Sequence, residues 1–296
     1  MRVADQQMYG TLLANLQRSR QQLLQAQEQI SSQKKVTQPS DDPAAFGQIV
    51  LDKSSLAQTD QWIRNVQFGT ARLDAADSAL GQVQNILTRI RELTIQARSD
   101  TTSAQGRTTI AQEVRQLHHQ LIQLANTDVS GQAIFAGTET NVTPFVIGSG
   151  DSVTYQGNSE SQSIGVGRNQ TAQVLLPGSE VFSGPTTNVF DSVSNLLSAL
   201  ESNNAAGIDT AIGTLDQATN QISNAQGKIG AMANRLEVTK TALDTTTTTI
   251  RQALSNNQDA DLTAAITQLS LQQVAVEAAS RAFSKIFDTS LLTMLQ

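Results

Sequence analysis

Few residues in this chain have the types and spacings that do chemistry. Its two histidines are adjacent, His118-His119. Neighbours on a helix point about 100° apart, so the pair cannot close on one metal ion. Asp41-Asp42 is the nearest approach to a catalytic carboxylate pair, but it stands before Pro43 and an apolar helical pattern. Carboxylates there satisfy free backbone N–H groups, and proline suits the first helical position. Asp41, Asp42 and Pro43 are therefore read as a helix cap. Gly165-Val166-Gly167 lacks the third glycine and the following helix of a dinucleotide fingerprint and reads as a bend. Lys34-Lys35 is too short for a phosphate or membrane patch. Asn141-Val142-Thr143 and Asn169-Gln170-Thr171 match the glycosylation sequon, with no secretory signal to give them meaning. With no cysteine, disulfides, thiolate metal sites and a cysteine nucleophile are excluded. No nucleophile–base–acid set can be assembled. The expectation is a protein that is no enzyme and holds no cofactor and no metal.

Composition points the same way. Of 296 residues only 16% are charged and 4% aromatic, while 36 are Gln. Such a chain suits long, thin helices better than one thick core. The net charge of −6 argues against a nucleic-acid binder. No run approaches the roughly 18 apolar residues of a membrane-spanning helix, so no membrane insertion is expected. Met1–Gln7 shows no apolar h-region, and no cleavable secretory signal is read there. Trp62, beside Ile63 in a helical pattern, reads as a packing residue.

The strongest periodic signal lies late. Ile208, Leu215, Ile222, Ile229, Leu236, Leu243 and Ile250 recur every seven residues, with Ala211, Ala218, Ala225, Met232, Thr239, Thr246 and Ala253 between them. This is an a/d heptad seam. At 1.5 Å per residue it would run about 70 Å. The run Thr245–Thr249 is its weakest turn. An earlier stretch answers it: Val66, Leu73, Leu80 and Leu87, with Ala76, Val83, Ile90 and Ala97 between. Ile49, Leu56 and Ile63 precede them one stammer out of register. Ile110, Val114, Leu117, Leu121 and Leu124 continue the 3,4 alternation beyond a turn at Ser99–Gly106.

The two ends form a third pair. Tyr9, Leu16, Leu23 and Ile30 are heptad-spaced, with Leu12 between. So are Leu262, Leu269, Val276 and Phe283, flanked by Ile266, Ile286 and Phe287. Each end carries one narrow apolar stripe that cannot stand alone. These twelve residues are the expected assembly interface.

The middle differs in kind. Residues 131–184 hold nine of the 18 glycines, and 144–185 three of the five prolines. Short β-rich runs appear at Ile134–Ala136, Pro144–Ile147, Ser152–Tyr155, Ser163–Val166 and Gln173–Leu176, separated by Gly, Asn and Pro. The expected fold is mainly α: a long coiled-coil-like helical rod with paired terminal helices and a small inserted antiparallel β domain. The expected divisions are 1–40 plus 260–296 for the terminal helices, 41–133 plus 186–259 for the rod, and 134–185 for the β domain, which would fold as a unit.

Four stretches resemble the bacterial flagellin superfamily, and within it the type 3 hook-associated branch. They are Met1–Ile30 running into Ser31–Ala45 with its Pro39-Ser40-Asp41-Asp42-Pro43 core, Phe135–Phe145, Val153–Asn158, and Asp259 through Ile286. Flagellins proper carry a Lys-Asp-Asp-Ala-Ala-Gly run without this proline. Gln33 stands where the family usually has glycine after the paired serines, which implies a less sharply bent loop. The tail Ser290–Leu295 lacks the usual aromatic.

The resemblance implies a structural subunit at the junction between hook and filament, outside the cell, exported without a cleavable signal peptide. Terminal helices would form an inner tube, the heptad helices an outer rod, and the β domain the exterior. Implied partners are copies of itself in a ring or helix, the first hook-associated protein below, flagellin above, and an export chaperone before secretion. The alternatives are a flagellin-like filament subunit, or a coiled-coil signalling or adhesion rod with a β ligand domain.

Overall fold

The computed structural model describes residues 2–184 and 187–294, and only the backbone at 2–6, 8, 9, 12, 283 and 285–294. Helices α1 (Arg2–Ser32), α2 (Pro43–Arg98) and α3 (Ala104–Ala125) come first. Strands β1 (Asp128–Val129), β2 (Gln132–Ala133), β3 (Phe145–Ile147), β4 (Val153–Tyr155), β5 (Gln162–Gly167) and β6 (Gln170–Leu175) follow, with a 3-10 turn at Ser149–Asp151. Helices α4 (Gly178–Val181), α5 (Val189–Glu201), α6 (Ala205–Gln258) and α7 (Leu262–Met294) complete the order. The fold is that of the expected class: long helices with small antiparallel β elements between them. No helix among the described residues is long and apolar enough to cross a membrane. The chain packs as two compact units, Met1–Gln58 with Thr246–Gln296, and Thr59–Thr245.

In the Thr59–Thr245 unit, the heptad positions are the core. Val66, Leu73, Leu80 and Leu87 of α2 are fully buried, as are Ile208, Leu215, Ile222 and Leu236 of α6. Small residues at alternate positions, Ala76 and Ala218 among them, are also fully buried and let the helices approach closely. Cross-helix pairs fix an antiparallel register. Arg98 meets Asp209 at 2.8 Å, Arg91 meets Asp216 at 2.6 Å, and Gln84 meets Ser223 at 3.1 Å. Each step back along α2 is matched by an equal step forward along α6. These ion pairs are half exposed and set register more than stability.

The β runs do not make a free-standing domain. They form three separate two-stranded antiparallel hairpins, β1–β2, β3–β4 and β5–β6. Ile134–Ala136, read as a strand, is buried but irregular, and the first hairpin begins before it. A lone hairpin is marginal in water, and these are held by the helices. Val166, Ala172 and Val174 join the same apolar cluster as Val66, Leu73 and Leu236. The contact is close: a Cβ added at Gly69 of α2 would lie 2.7 Å from Val174, 2.9 Å from Ile164 and 3.1 Å from Leu236. Only a residue without a side chain admits the hairpin here. The reading of an insert that folds as a unit is thus corrected, because hairpins this small need the helices for their second layer.

Four phenylalanines tie the remaining segments. Phe145 of β3 lies 5.2 Å from Phe182 and 4.9 Å from Phe190, and Phe135 meets Phe182 edge-on at 5.3 Å. The side-chain amide of Asn126, just after α3, donates to the carbonyl of Phe145 and accepts from its N–H, both at 2.8 Å.

The Thr245–Thr249 turn of α6 stays helical. The seam there steps from Leu243 to buried Thr247, and the heptad position Thr246 is exposed. A 3.6-residue helix drifts against a strict seven-residue repeat, and a four-residue step takes up that drift.

Candidate assembly surface

Helices α1 and α7 pack side by side and antiparallel, the end of α1 meeting the start of α7. A short clasp closes that end. Lys35 N–H donates to Gln258 O at 2.7 Å, Ala260 N–H donates to Gln33 O at 3.0 Å, and the Lys35 ammonium reaches Asn256 O at 2.6 Å. Asp261 then caps α7, its Oδ1 accepting from Thr263 N–H at 2.9 Å and Ala264 N–H at 3.1 Å.

The pairing consumes part of the apolar surface and leaves the rest. Ala26 and Ala265 are buried, and Leu16, Leu23, Ile30, Leu269 and Val276 are half-buried. Leu262 and Ile266, placed with them in the sequence reading, lie at the edge and are 40% and 54% exposed. Tyr9, Leu12, Phe283, Ile286 and Phe287 have side chains outside the described residues. Leu271 and Val274 were missed by the heptad reading. They sit about 180° and 120° around α7 from Leu262, on the side away from α1, and are 61% and 66% exposed. Ala264, Ala275, Ala278 and Ala282 are exposed as well. On α1, Leu13 and Leu24 are 48% and 63% exposed. The signal for this face was available: residues 262–276 contain no charged residue at all. Its leucine, isoleucine, valine and alanine residues fall both on the side that meets α1 and on the side opposite.

The loop before α2 divides the two aspartates. Asp42 Oδ1 accepts from the N–H groups of Ala44 and Ala45, both at 3.0 Å, with Pro43 at the first helical position. Asp41 turns back instead. Its Oδ2 accepts from Thr37 N–H at 2.9 Å and Gln38 N–H at 3.1 Å. Those two backbone donors hold its carboxyl below the usual carboxylate range. Asp42→Ala is expected to cost about 1 kcal/mol of stability and Asp42→Asn much less, since an amide oxygen can still accept. Urea unfolding of both variants checks this; equal losses would show that charge, not capping, is what Asp42 supplies.

The other chemical candidates stay apart. His118 is fully buried in α3, and His119 beside it is half-buried. Among the described residues no three His, Asp or Glu side chains are grouped to hold a metal. Gly165 and Gly167 lie within β5, and Asn169, at φ 60°, makes the turn into β6. Trp62 packs against the apolar cluster.

Comparison with known proteins matches this arrangement. The bacterial flagellin N-terminal helical region matches residues 3–140, and the flagellin C-terminal helical region matches 212–295. Together they take in about three quarters of the chain. The chain belongs to the bacterial flagellin family. It is 28% identical to "Flagellar hook-associated protein 3" of Escherichia coli, over 99% of both chains. A putative flagellar hook-associated protein from Vibrio parahaemolyticus, 20% identical, superposes with a TM-score of 0.68 over 74% of this chain and all of that one. The flagellar junction protein FlgL from Legionella pneumophila, 18% identical, gives 0.59 over 72% and all of that chain.

Against the family pattern, Gln33 behaves unexpectedly. It adopts φ 59°, the left-handed conformation a glycine would take, so the loop is bent as sharply as with glycine. The expected relaxation does not occur, because the clasp to Gln258 and Ala260 holds residues 33 and 35 in place on both sides.

Proposed function

We propose that this chain is a structural subunit of the bacterial flagellum, placed outside the cell at the junction between hook and filament, and without enzymatic activity. One observation carries the reading: the face of α7 that holds Leu271 and Val274 is apolar and uncovered after α1 has packed. Uncharged leucine and valine two-thirds exposed on a long helix call for a protein partner. Full-length similarity to hook-associated protein 3 names the setting.

In this proposal residues 1–40 and 260–296 line the inner tube of the assembly, 41–133 and 186–259 form the rod around it, and 134–185 face outwards. The uncovered faces of α1 and α7 meet further copies of the same chain in a ring or helix, the first hook-associated protein below and flagellin above. An export chaperone shields the same apolar surface before secretion.

Electron microscopy of cells lacking this protein tests the reading. Hooks without filaments, with flagellin released to the medium, are expected. Gold-labelled antibody on wild-type cells should mark a single short band beyond the hook. Label along the whole filament would make the chain a filament subunit, and normal filaments in the null strain would overturn the proposal.

A further inference from the structure

The α3–α5 contact holds a group the assembly does not use. His118 of α3 is 0% exposed, and neither Nδ1 nor Nε2 has a hydrogen-bond partner. Its ring lies 6.2 Å from Phe190 of α5, which stacks on Phe182 at 5.4 Å and meets Phe145 of β3 at 4.9 Å. The imidazole is thus wedged where α3, α5 and the β3 hairpin meet, and it is apolar on its α5 side. We infer that His118 is an acid-sensitive pin: protonation of its ring opens the contact of α3 with α5 and the β3 hairpin.

The argument is one of solvation. A neutral ring with two orphan nitrogens costs only its missing hydrogen bonds. An imidazolium in the same place has two N–H donors and a charge with nothing to receive them. Asp151, from the 3-10 turn, favours the cation, while His119 and Arg115 on α3 oppose it. Asp151 gives little relief, because Arg115 already engages it at 3.1 Å and holds Glu201 of α5 as well. Asp191 of α5 is exposed, and β3 has no titratable residue. Burial therefore pushes the His118 imidazole down to about 4.

The sign follows. Unfolded or opened, the ring titrates near 6.5; closed, it titrates near 4. The open form binds the proton more readily, so stability is full above pH 6.5 and is lost as pH falls from 6.5 through 4. At pH 4.5 the opening constant should be about seventyfold larger than at pH 7.5.

Amide exchange of the full chain, corrected for the intrinsic rate at each pH, measures this directly. Protection in α3, α5 and β3 should fall about seventyfold between pH 7.5 and 4.5. In His118→Leu that dependence should vanish, and in His119→Gln it should persist. Carbon-13-labelled histidine followed by NMR gives the titration of each ring without a variant, should His118→Leu fail to fold. An identical pH dependence in wild type and His118→Leu, or a His118 ring titrating near 6.5, would overturn the inference.

Discussion

A chain carrying Leu271→Asp with Val274→Asp is expected to fold nearly as the wild type does and to leave cells without filaments. In the single chain both side chains are about two-thirds exposed, so two carboxylates there stay hydrated. The monomer should lose about 1 kcal/mol at most, the difference in helix propensity. In the proposed assembly the same face is covered, and each unpaired charge buried there costs several kcal/mol. The cost recurs in every subunit of the ring. Leu269→Asp makes the contrast. Leu269 is half-buried in the α1–α7 pair, so its charge should loosen the monomer as well as block assembly. Urea unfolding of purified protein and complementation of a null strain, scored for filaments, separate the two cases. Motile cells with normal filaments from the double variant would place the interface on another face.

The second large effect lies in the aromatic cluster. Phe145→Ala should lower stability by about 3–5 kcal/mol. Phe145 is 2% exposed and touches Tyr155, Phe182 and Phe190, with ring centroids 4.9–5.2 Å away. Truncation leaves a void that three other aromatic rings line, and removes edge and tilted ring contacts worth about 0.5–1.5 kcal/mol each. Its neighbour Val146 is 42% exposed on the other face of the strand, and Val146→Ala should stay within about 0.5 kcal/mol. Denaturant midpoints of the two variants are the test. A Phe145→Ala loss no larger than that of Val146→Ala would mean the cluster contributes shape and little energy.

Residue spacing alone determined a good deal of this protein. The heptads of α2 and α6 placed Val66, Leu73, Leu80, Ile208, Leu215 and Ile222 in the core correctly, because a 3.6-residue period maps sequence onto a helix face without help from distant residues. The Asp42-Pro43 cap was legible for the same reason: its hydrogen bonds reach only two and three residues along the chain. Tertiary structure decided the rest. Two aspartates side by side gave no sign that Asp41 would turn back to Thr37 while Asp42 capped α2. Gln33 at φ 59° is set by a strand-like clasp to residues more than 220 positions away. The need for glycine at position 69 arises only because the β5–β6 hairpin rests on α2 there. The uncovered face of α7 is of this kind too. Its apolar residues were visible in the sequence, but which of them α1 would cover depended on how two helices more than 200 residues apart turned towards each other. Burial is a property of pairs of surfaces, and periodicity describes only one surface at a time.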